Sequence, residues 1–136
     1  MSEMSKKDRM KLHRLSKMVE NFTNTNPDVA GAVVIAYPEG VPLANSYQQA
    51  LDPILLGAVS ASVRLTFQHL CDNLRLGRLR RLFINSEGGR MIIQNAGDNA
   101  ILTTIVDKFA NLYGEAFKAN DLSLKIGGLL KGFKYA

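Results

Sequence analysis

The sequence is short of cysteine and aromatic residues. Cys71 is the single cysteine, tryptophan is absent, and aromatic residues make up 7% of the 136 residues. One cysteine excludes an internal disulfide framework and a multi-cysteine zinc site, in agreement with a reducing compartment. The longest apolar run, Ala32 to Tyr37, is far shorter than the roughly 20 residues that span a bilayer, and the first residues lack the apolar segment of a signal peptide. We therefore expect a cytoplasmic protein.

Motifs of the common enzyme classes are also missing. The sequence contains no phosphate-binding loop, dinucleotide-binding fingerprint, zinc-protease helix motif or nucleophile elbow. Its two histidines, His13 and His69, fall on separate predicted helices and supply no metal pair or nucleophile with its base. Cys71 is predicted to pack near an apolar stripe, and Asp98 to form hydrogen bonds within the turn that begins at Gly97. The sequence predicts neither an enzyme nor a bound cofactor or metal.

Positive charge is concentrated near the N-terminus. The net charge is +5, and residues 1 to 18 hold six basic residues against two acidic ones. Such a segment suits either a solvated helix face or attraction to an acidic partner, anionic lipid or nucleic acid, and the solvated face is the favoured interpretation. Nucleic-acid binding usually adds exposed aromatics or a groove-reading element, which the sequence does not indicate even beside the second basic cluster (Arg75, Arg78, Arg80 and Arg81). We expect no specific nucleic-acid binding and at most weak electrostatic membrane contact.

The basic segment has the pattern of an amphipathic helix from about Ser5 to Phe22. Ser5 and Asp8 resemble a capping box, and Pro27 disfavours helix in the residue before it. The apolar residues that recur at helical spacing are Leu12, Leu15, Val19 and Phe22.

Short strands are predicted on both sides of a long helix. Ala32 to Ala36 is apolar at every position, which is typical of a strand covered on both faces. The turn Pro38-Glu39-Gly40 then leads to a second strand, Leu43 to Tyr47. Three later strands are predicted at Arg80–Ser86, Met91–Asn95 and Ala100–Val106, joined by turns at Glu87–Gly89 and Gly97–Asp98.

The long central helix is predicted to begin at Asp52-Pro53 and to stop at Gly77. It carries two apolar stripes. We assign the first to the sheet, and the second then needs another partner surface, which favours self-association. The first stripe is Leu56, Val59, Val63, Phe67, Leu70 and Leu74; the second is Ile54, Ala58, Ala61 and Leu65.

A final amphipathic helix is predicted to begin between Tyr113 and Asp121. Gly127 and Gly128 would each weaken its interior by about 1 kcal/mol relative to alanine. Close packing and fraying near the terminus both remain open as reasons for this pair.

Two groups of residues resemble the signature of the Roadblock family of dynein light chain and GTPase-regulator domains. The first group is Gly31, Gly40, Pro42, Leu43 and Ala44, and the second is Gly97, Asp98, Ala100 and Leu102. The sequence departs from the family at Glu39, where aspartate often precedes the glycine. The resemblance implies a single α+β domain over 1–136 with the element order α-β-β-α-β-β-β-α. Its five-stranded antiparallel sheet would lie between the long helix on one face and the terminal helices on the other, as in profilin and longin domains.

The same resemblance implies a non-enzymatic homodimer that binds or regulates a Ras-like small GTPase, or a subunit of a motor or membrane scaffold. The alternative is a profilin-like or longin-like adaptor for cytoskeletal or trafficking proteins. The sequence leaves open the GTPase, its nucleotide state and whether a related chain replaces the second copy. The dimer is predicted to pair the third strands edge to edge and to join the long helices. The predicted interface residues are Ile54, Ala58, Ala61, Leu65, Arg80, Leu82 and Ile84.

Overall fold

The computed structural model describes residues 4–47 and 52–134. Within these residues three helices and five strands follow the order α-β-β-α-β-β-β-α, which confirms the predicted fold class. The elements are α1 Lys6–Thr25, β1 Val29–Ala36, β2 Pro42–Asn45, α2 Pro53–Asn73, β3 Arg81–Asn85, β4 Arg90–Asn95, β5 Ala100–Val106 and α3 Leu112–Leu129.

The strands form one antiparallel sheet in the order β2-β1-β5-β4-β3. β1 and β5 lie at its centre, with Val34 opposite Leu102. Both central strands are buried almost throughout, so the prediction that Ala32 to Ala36 is covered on both faces is confirmed. β2 and β3 form the two edges of this sheet.

Each face of the sheet carries its own apolar core. The larger core lies under α1 and α3 and includes Leu15 and Ile126, both with 0% exposure. The smaller core lies under α2 and consists of Val33, Ile35, Ile93 and Ile101. Two helices on one face and one helix on the other give the three-layer arrangement that the sequence predicts.

α1 begins at the predicted cap and extends beyond its predicted end. The Ser5 Oγ accepts a hydrogen bond of 3.1 Å from the Asp8 amide, and Leu15, Val19 and Phe22 are buried. The helix continues three residues past Phe22 to Thr25. It ends where the side-chain amide of Asn26 donates to the Phe22 carbonyl at 2.7 Å, which satisfies a carbonyl that the helix leaves free.

Several other boundaries differ from the prediction by a few residues. β2 spans Pro42–Asn45 instead of Leu43 to Tyr47, because the Asn45 side chain accepts a hydrogen bond of 2.8 Å from the Tyr47 amide and turns the chain. β3 is one residue shorter at each end than predicted. α2 ends at Asn73, before Gly77.

α3 begins at Leu112, one residue before the predicted range. Its start is set by Asn111, whose side-chain oxygen accepts a hydrogen bond of 3.1 Å from the Gly114 amide. Near its other end, Gly127 lies against the backbone at Gly97, which has a φ of +78°. Close packing is therefore the reason for glycine at 127.

Candidate interaction surface

α2 rests on the turn between β1 and β2 through backbone-to-backbone contact. Its first turn is capped by Asp52, whose carboxylate accepts hydrogen bonds from the Ile54 and Leu55 amides at 3.1 and 3.2 Å. A Cβ placed on Gly57 would overlap the carbonyl oxygen of Gly40. A glycine at 57 thus lets the helix approach the turn closely, and this contact fixes which face of α2 meets the sheet.

The face of α2 that meets the sheet is small and polar. Its buried residues are Gly57, Ser60 and Ala61. One turn further on, the Arg64 guanidinium stacks on the Tyr37 ring, 3.7 Å from the ring centroid. The assignment of the first apolar stripe to the sheet is therefore wrong for most of its residues, because the buried face lies between the two stripes and Leu56 alone of the first stripe packs against the sheet core.

Both stripes consequently flank the buried face and leave large apolar side chains exposed. On the first stripe, Val59 is 48%, Phe67 41%, Leu70 48% and Leu74 58% exposed. On the second stripe, Ile54 is 75% and Leu65 50% exposed. α2 is apolar enough, at 21 residues, to cross a bilayer by length and composition alone. The large apolar side chains of α2 face solvent, and an exposed apolar surface of this kind indicates an interaction site.

The first stripe is the one that lies toward β3. Leu56 of this stripe and Leu82 of β3 both pack against the smaller core. On the other flank of the helix, a Cβ on Gly40 would contact Ala58 and Ala61 at 3.4 and 3.5 Å. The Gly40 turn belongs to the β2 side of the sheet, so the second stripe lies away from β3.

β3 is the more open of the two sheet edges. It is exposed at Phe83, Ile84 and Asn85, and its outer edge pairs with no other strand among the described residues. β2 spans four residues and begins with Pro42, which has no amide to donate and so discourages pairing with another chain. A row of backbone donors and acceptors is thus available at β3.

The predicted interface residues occupy different environments. Ile54, Ala58 and Leu65 are exposed on the second stripe, and Arg80 is exposed directly before β3. Leu82 and Ile84 are part-buried and exposed, respectively, on β3. Ala61 requires a correction: it is 8% exposed and packs against its own chain at the Gly40 turn, so it is not a surface residue.

Gln68 fixes the loop that connects α2 to β3, and the sequence analysis missed it. Its side-chain oxygen accepts a hydrogen bond of 2.9 Å from the Leu79 amide. Its side-chain nitrogen donates to the Gly77 carbonyl at 3.2 Å and to Asp72 at 2.9 Å. The only sequence signal is a polar residue on the face that also carries Ser60 and Arg64.

Three arginines, Arg64, Arg78 and Arg90, differ in how far their side chains reach solvent. Burial lowers the pKa of Arg64 below its usual value, and the Tyr37 ring below it opposes this shift. Arg90 donates to the Ala110 carbonyl at 3.0 Å. Arg78 is 58% exposed and forms an ion pair of 3.2 Å with Asp98. Among these three, Arg78 is the one with a largely exposed side chain.

The remaining titratable residues form no catalytic cluster in the described part of the chain. His13 and His69 are exposed on α1 and α2, and Cys71 is part-buried on α2. Asp98 points outward to Arg78 instead of bonding within its turn. In residues 4–47 and 52–134 no group of three or more His, Cys, Asp or Glu residues could hold a metal ion.

Comparison with known proteins gives the same fold. The structure of MglB from Myxococcus xanthus superposes with a TM-score of 0.85 at 11% identity, covering 100% of this chain and 98% of that one. An MglB with a tetrameric arrangement gives 0.81 at 17% identity, covering 90% and 91%. Profilin II from Acanthamoeba castellanii gives 0.64 at 18% identity, covering 88% and 99%. No curated protein sequence matches. Residues 15–106 match the Roadblock/LC7 domain, so the chain belongs to the Roadblock/LC7 family.

Proposed function

We propose that this chain is a cytoplasmic, homodimeric module that binds a Ras-like small GTPase. A regulatory or scaffold role is what the Roadblock/LC7 domain and the MglB-like fold support. The proposal adds two specific features to this general role, which are the homodimer and the GTPase partner. The observation that carries it is an exposed apolar stripe of α2 that faces the same side of the domain as the open edge of the sheet at β3.

The dimer would bury the first stripe of α2 and pair the β3 edges. The prediction from sequence places Ile54, Ala58, Ala61 and Leu65 of the second stripe in the interface, and the proposal replaces them with the first stripe because that stripe lies toward β3. A two-fold axis normal to the sheet would join the two sheets into one and bring both α2 helices together on one face. The stripe and β3 would then lose their exposed apolar side chains and their unpaired backbone groups at the same time. The tetrameric arrangement of a similar MglB supports self-association.

Substitutions on the two stripes distinguish an interface at the first stripe from an interface at the second. Leu70 and Leu65 are 48% and 50% exposed, and both lie on α2. Glutamate at 70 would place an unpaired charge in the proposed apolar contact. Leu70→Glu should therefore give a monomer, whereas Leu65→Glu should leave a dimer. A monomer from Leu65→Glu with an intact dimer from Leu70→Glu would transfer the interface to the second stripe.

The GTPase partner is proposed because the chain belongs to the Roadblock/LC7 family and its sequence resembles GTPase-regulator domains of that family. The described residues present no group of three or more His, Cys, Asp or Glu residues that could hold a metal ion, and the sequence contains no common catalytic motif. Any effect on nucleotide hydrolysis would then act by positioning groups of the GTPase itself, with no catalytic residue from this chain.

A pull-down with Ras-like GTPases loaded with GDP or a GTP analogue tests this function. The wild-type chain should retain a GTPase, with a preference for one nucleotide state. Leu70→Glu should lose binding if the GTPase needs the dimer, while Leu124→Glu, at a leucine 68% exposed on α3, should keep it. Failure to retain any GTPase in either state would refute this part of the proposal and leave the dimer standing.

A further inference from the structure

α1 presents a broad positive surface on the side away from the sheet. Its cations lie around the exposed half of the helix, and the exposed side chain of Met10 lies among them. Leu15, Val19 and Phe22 occupy the opposite side and are buried. We call this surface the basic face; it comprises Lys6, Lys7, Arg9, Lys11, Arg14 and Lys17.

The basic face outweighs the acidic residues of its own helix, since its six cations face the carboxylates of Asp8 and Glu20 alone within α1. The ion pairs within the described residues join Arg78 to Asp98, Lys118 to Glu115 and Lys125 to Asp121, and none involves α1. The Lys11 ammonium donates instead to the Lys131 carbonyl at 3.0 Å. This contact brings the exposed Lys131 at the end of α3 next to the basic face and extends the positive area beyond one helix.

The surroundings of Met10 are apolar beneath the cations. A groove of about 670 Å³ runs between α1 and the end of α3, and its lining is Lys6, Lys7, Met10, Lys11, Arg14, Gly128 and Leu129. Met10 is 54% exposed. The stems of these long basic side chains line the apolar groove and keep their charged ends at its rim, so the surface that faces outward is cationic.

We propose that the basic face docks the protein on a bilayer that contains anionic lipids. The cations are spread over a wide arc and a second element, which suits a broad negative plane better than a single phosphate backbone. The exposed side of α1 carries no Phe, Tyr or Trp side chain to stack on a nucleic-acid base, and its one aromatic ring is the imidazole of His13. The apolar side of α1 belongs to the core, so the contact is peripheral and electrostatic.

The basic face lies opposite α2 across the sheet, so it does not overlap the proposed dimer surface. Two chains joined by a two-fold axis normal to the sheet would present both basic faces on one side and bind with higher avidity. The proposal does not rest on that dimer. A monomeric Leu70→Glu chain keeps its own basic face and should still bind anionic vesicles in a salt-sensitive way.

Vesicle sedimentation with the full chain tests this proposal. The vesicles are phosphatidylcholine alone or phosphatidylcholine with phosphatidylserine. The wild-type chain should sediment with the phosphatidylserine vesicles at low ionic strength. It should be released when salt shortens the Debye length to about 3 Å, and it should not sediment with the neutral phosphatidylcholine vesicles. Binding to neutral vesicles that survives high salt would overturn the proposal, because it would indicate apolar insertion.

Substitution locates the surface. A lysine or arginine near an anionic membrane contributes about fivefold to the partition coefficient. The combined variant Lys7→Gln, Arg14→Gln and Lys17→Gln should bind roughly 100-fold more weakly, since glutamine preserves helix propensity. The control variant, with the same net charge, is Arg75→Gln, Arg78→Gln and Lys108→Gln, and it should bind within a few-fold of wild type.

Three further outcomes would overturn the proposal. The first is no binding to phosphatidylserine vesicles at low salt by a chain whose melting curve shows that it is folded. The second is an equal loss in the control variant, because net charge would then explain the binding. The third is binding of a DNA duplex that the α1 substitutions abolish while vesicles fail to bind, which would assign the basic face to nucleic acid.

Discussion

Two adjacent glycines in α3 should respond in opposite directions to the same substitution. A Cβ on Gly127 would lie 2.9 Å from the Gly97 nitrogen and 3.1 Å from its Cα. A Cβ on Gly128 would meet nothing within 4 Å. Alanine at either position gains helix propensity, but only alanine at 127 meets backbone atoms that cannot rotate away.

The expected magnitudes follow from these two contacts. Replacing glycine by alanine inside a helix gains up to about 1 kcal/mol in unfolding free energy. Overpacking against fixed atoms costs about 1–3 kcal/mol. Gly128→Ala should therefore stabilise by up to about 1 kcal/mol, and Gly127→Ala should be about 1–3 kcal/mol less stable than Gly128→Ala.

Urea unfolding followed by circular dichroism measures the difference. All proteins should be compared at one concentration, because dimerisation would make the apparent stability depend on concentration. An unchanged m-value assigns the shift to stability alone. Equal stabilisation by both substitutions would refute the contact between Gly127 and the Gly97 turn and leave fraying as the reason for the glycine pair.

Other substitutions separate packing from the interface and from catalysis. Ala61→Arg should unfold the chain, measured by loss of the cooperative melting transition, because it buries an unpaired charge against the β1–β2 turn; a folded monomer would instead place residue 61 at the interface. Gln68→Ala should lower the unfolding free energy by about 0.5–1.5 kcal/mol, since the part-buried Leu79 amide loses its hydrogen-bond acceptor; no change in urea unfolding would show that the loop keeps its conformation without Gln68. Alanine at Arg64, Arg78 or Arg90 should change stimulated GTP hydrolysis less than tenfold, whereas loss of about 10³-fold with intact binding would identify an arginine finger.

The helices and strands could be predicted because their signals are local, whereas the sheet and its layers were expected from the family resemblance. The apolar segment from Ala32 to Ala36 indicated a strand that is covered on both faces. The capping side chains of Ser5 and Asp52 indicated where α1 and α2 begin. Neighbouring residues control these features directly. Boundaries shifted where a side chain such as Asn26 or Asn45 bonded to the backbone in a way that periodicity does not show.

Periodicity alone could not predict which face of α2 packs on the sheet. Apolar spacing pointed to two stripes, but the helix meets the sheet through the small and polar residues between them. The reason is the contact between Gly57 and Gly40, which lie far apart in sequence and approach closely because neither has a side chain. Ala61, assigned to an interface by spacing alone, is buried by the same contact.

The central claim is that the first stripe of α2 and the edge of β3 are covered by a second copy of this chain. Light scattering coupled to size-exclusion chromatography at micromolar concentration tests it most directly. The account predicts twice the chain mass of 15.0 kDa for the wild type and for Leu124→Glu, and the single-chain mass for a folded Leu70→Glu. A stable wild-type monomer, or a Leu70→Glu protein that remains a dimer, would contradict the account.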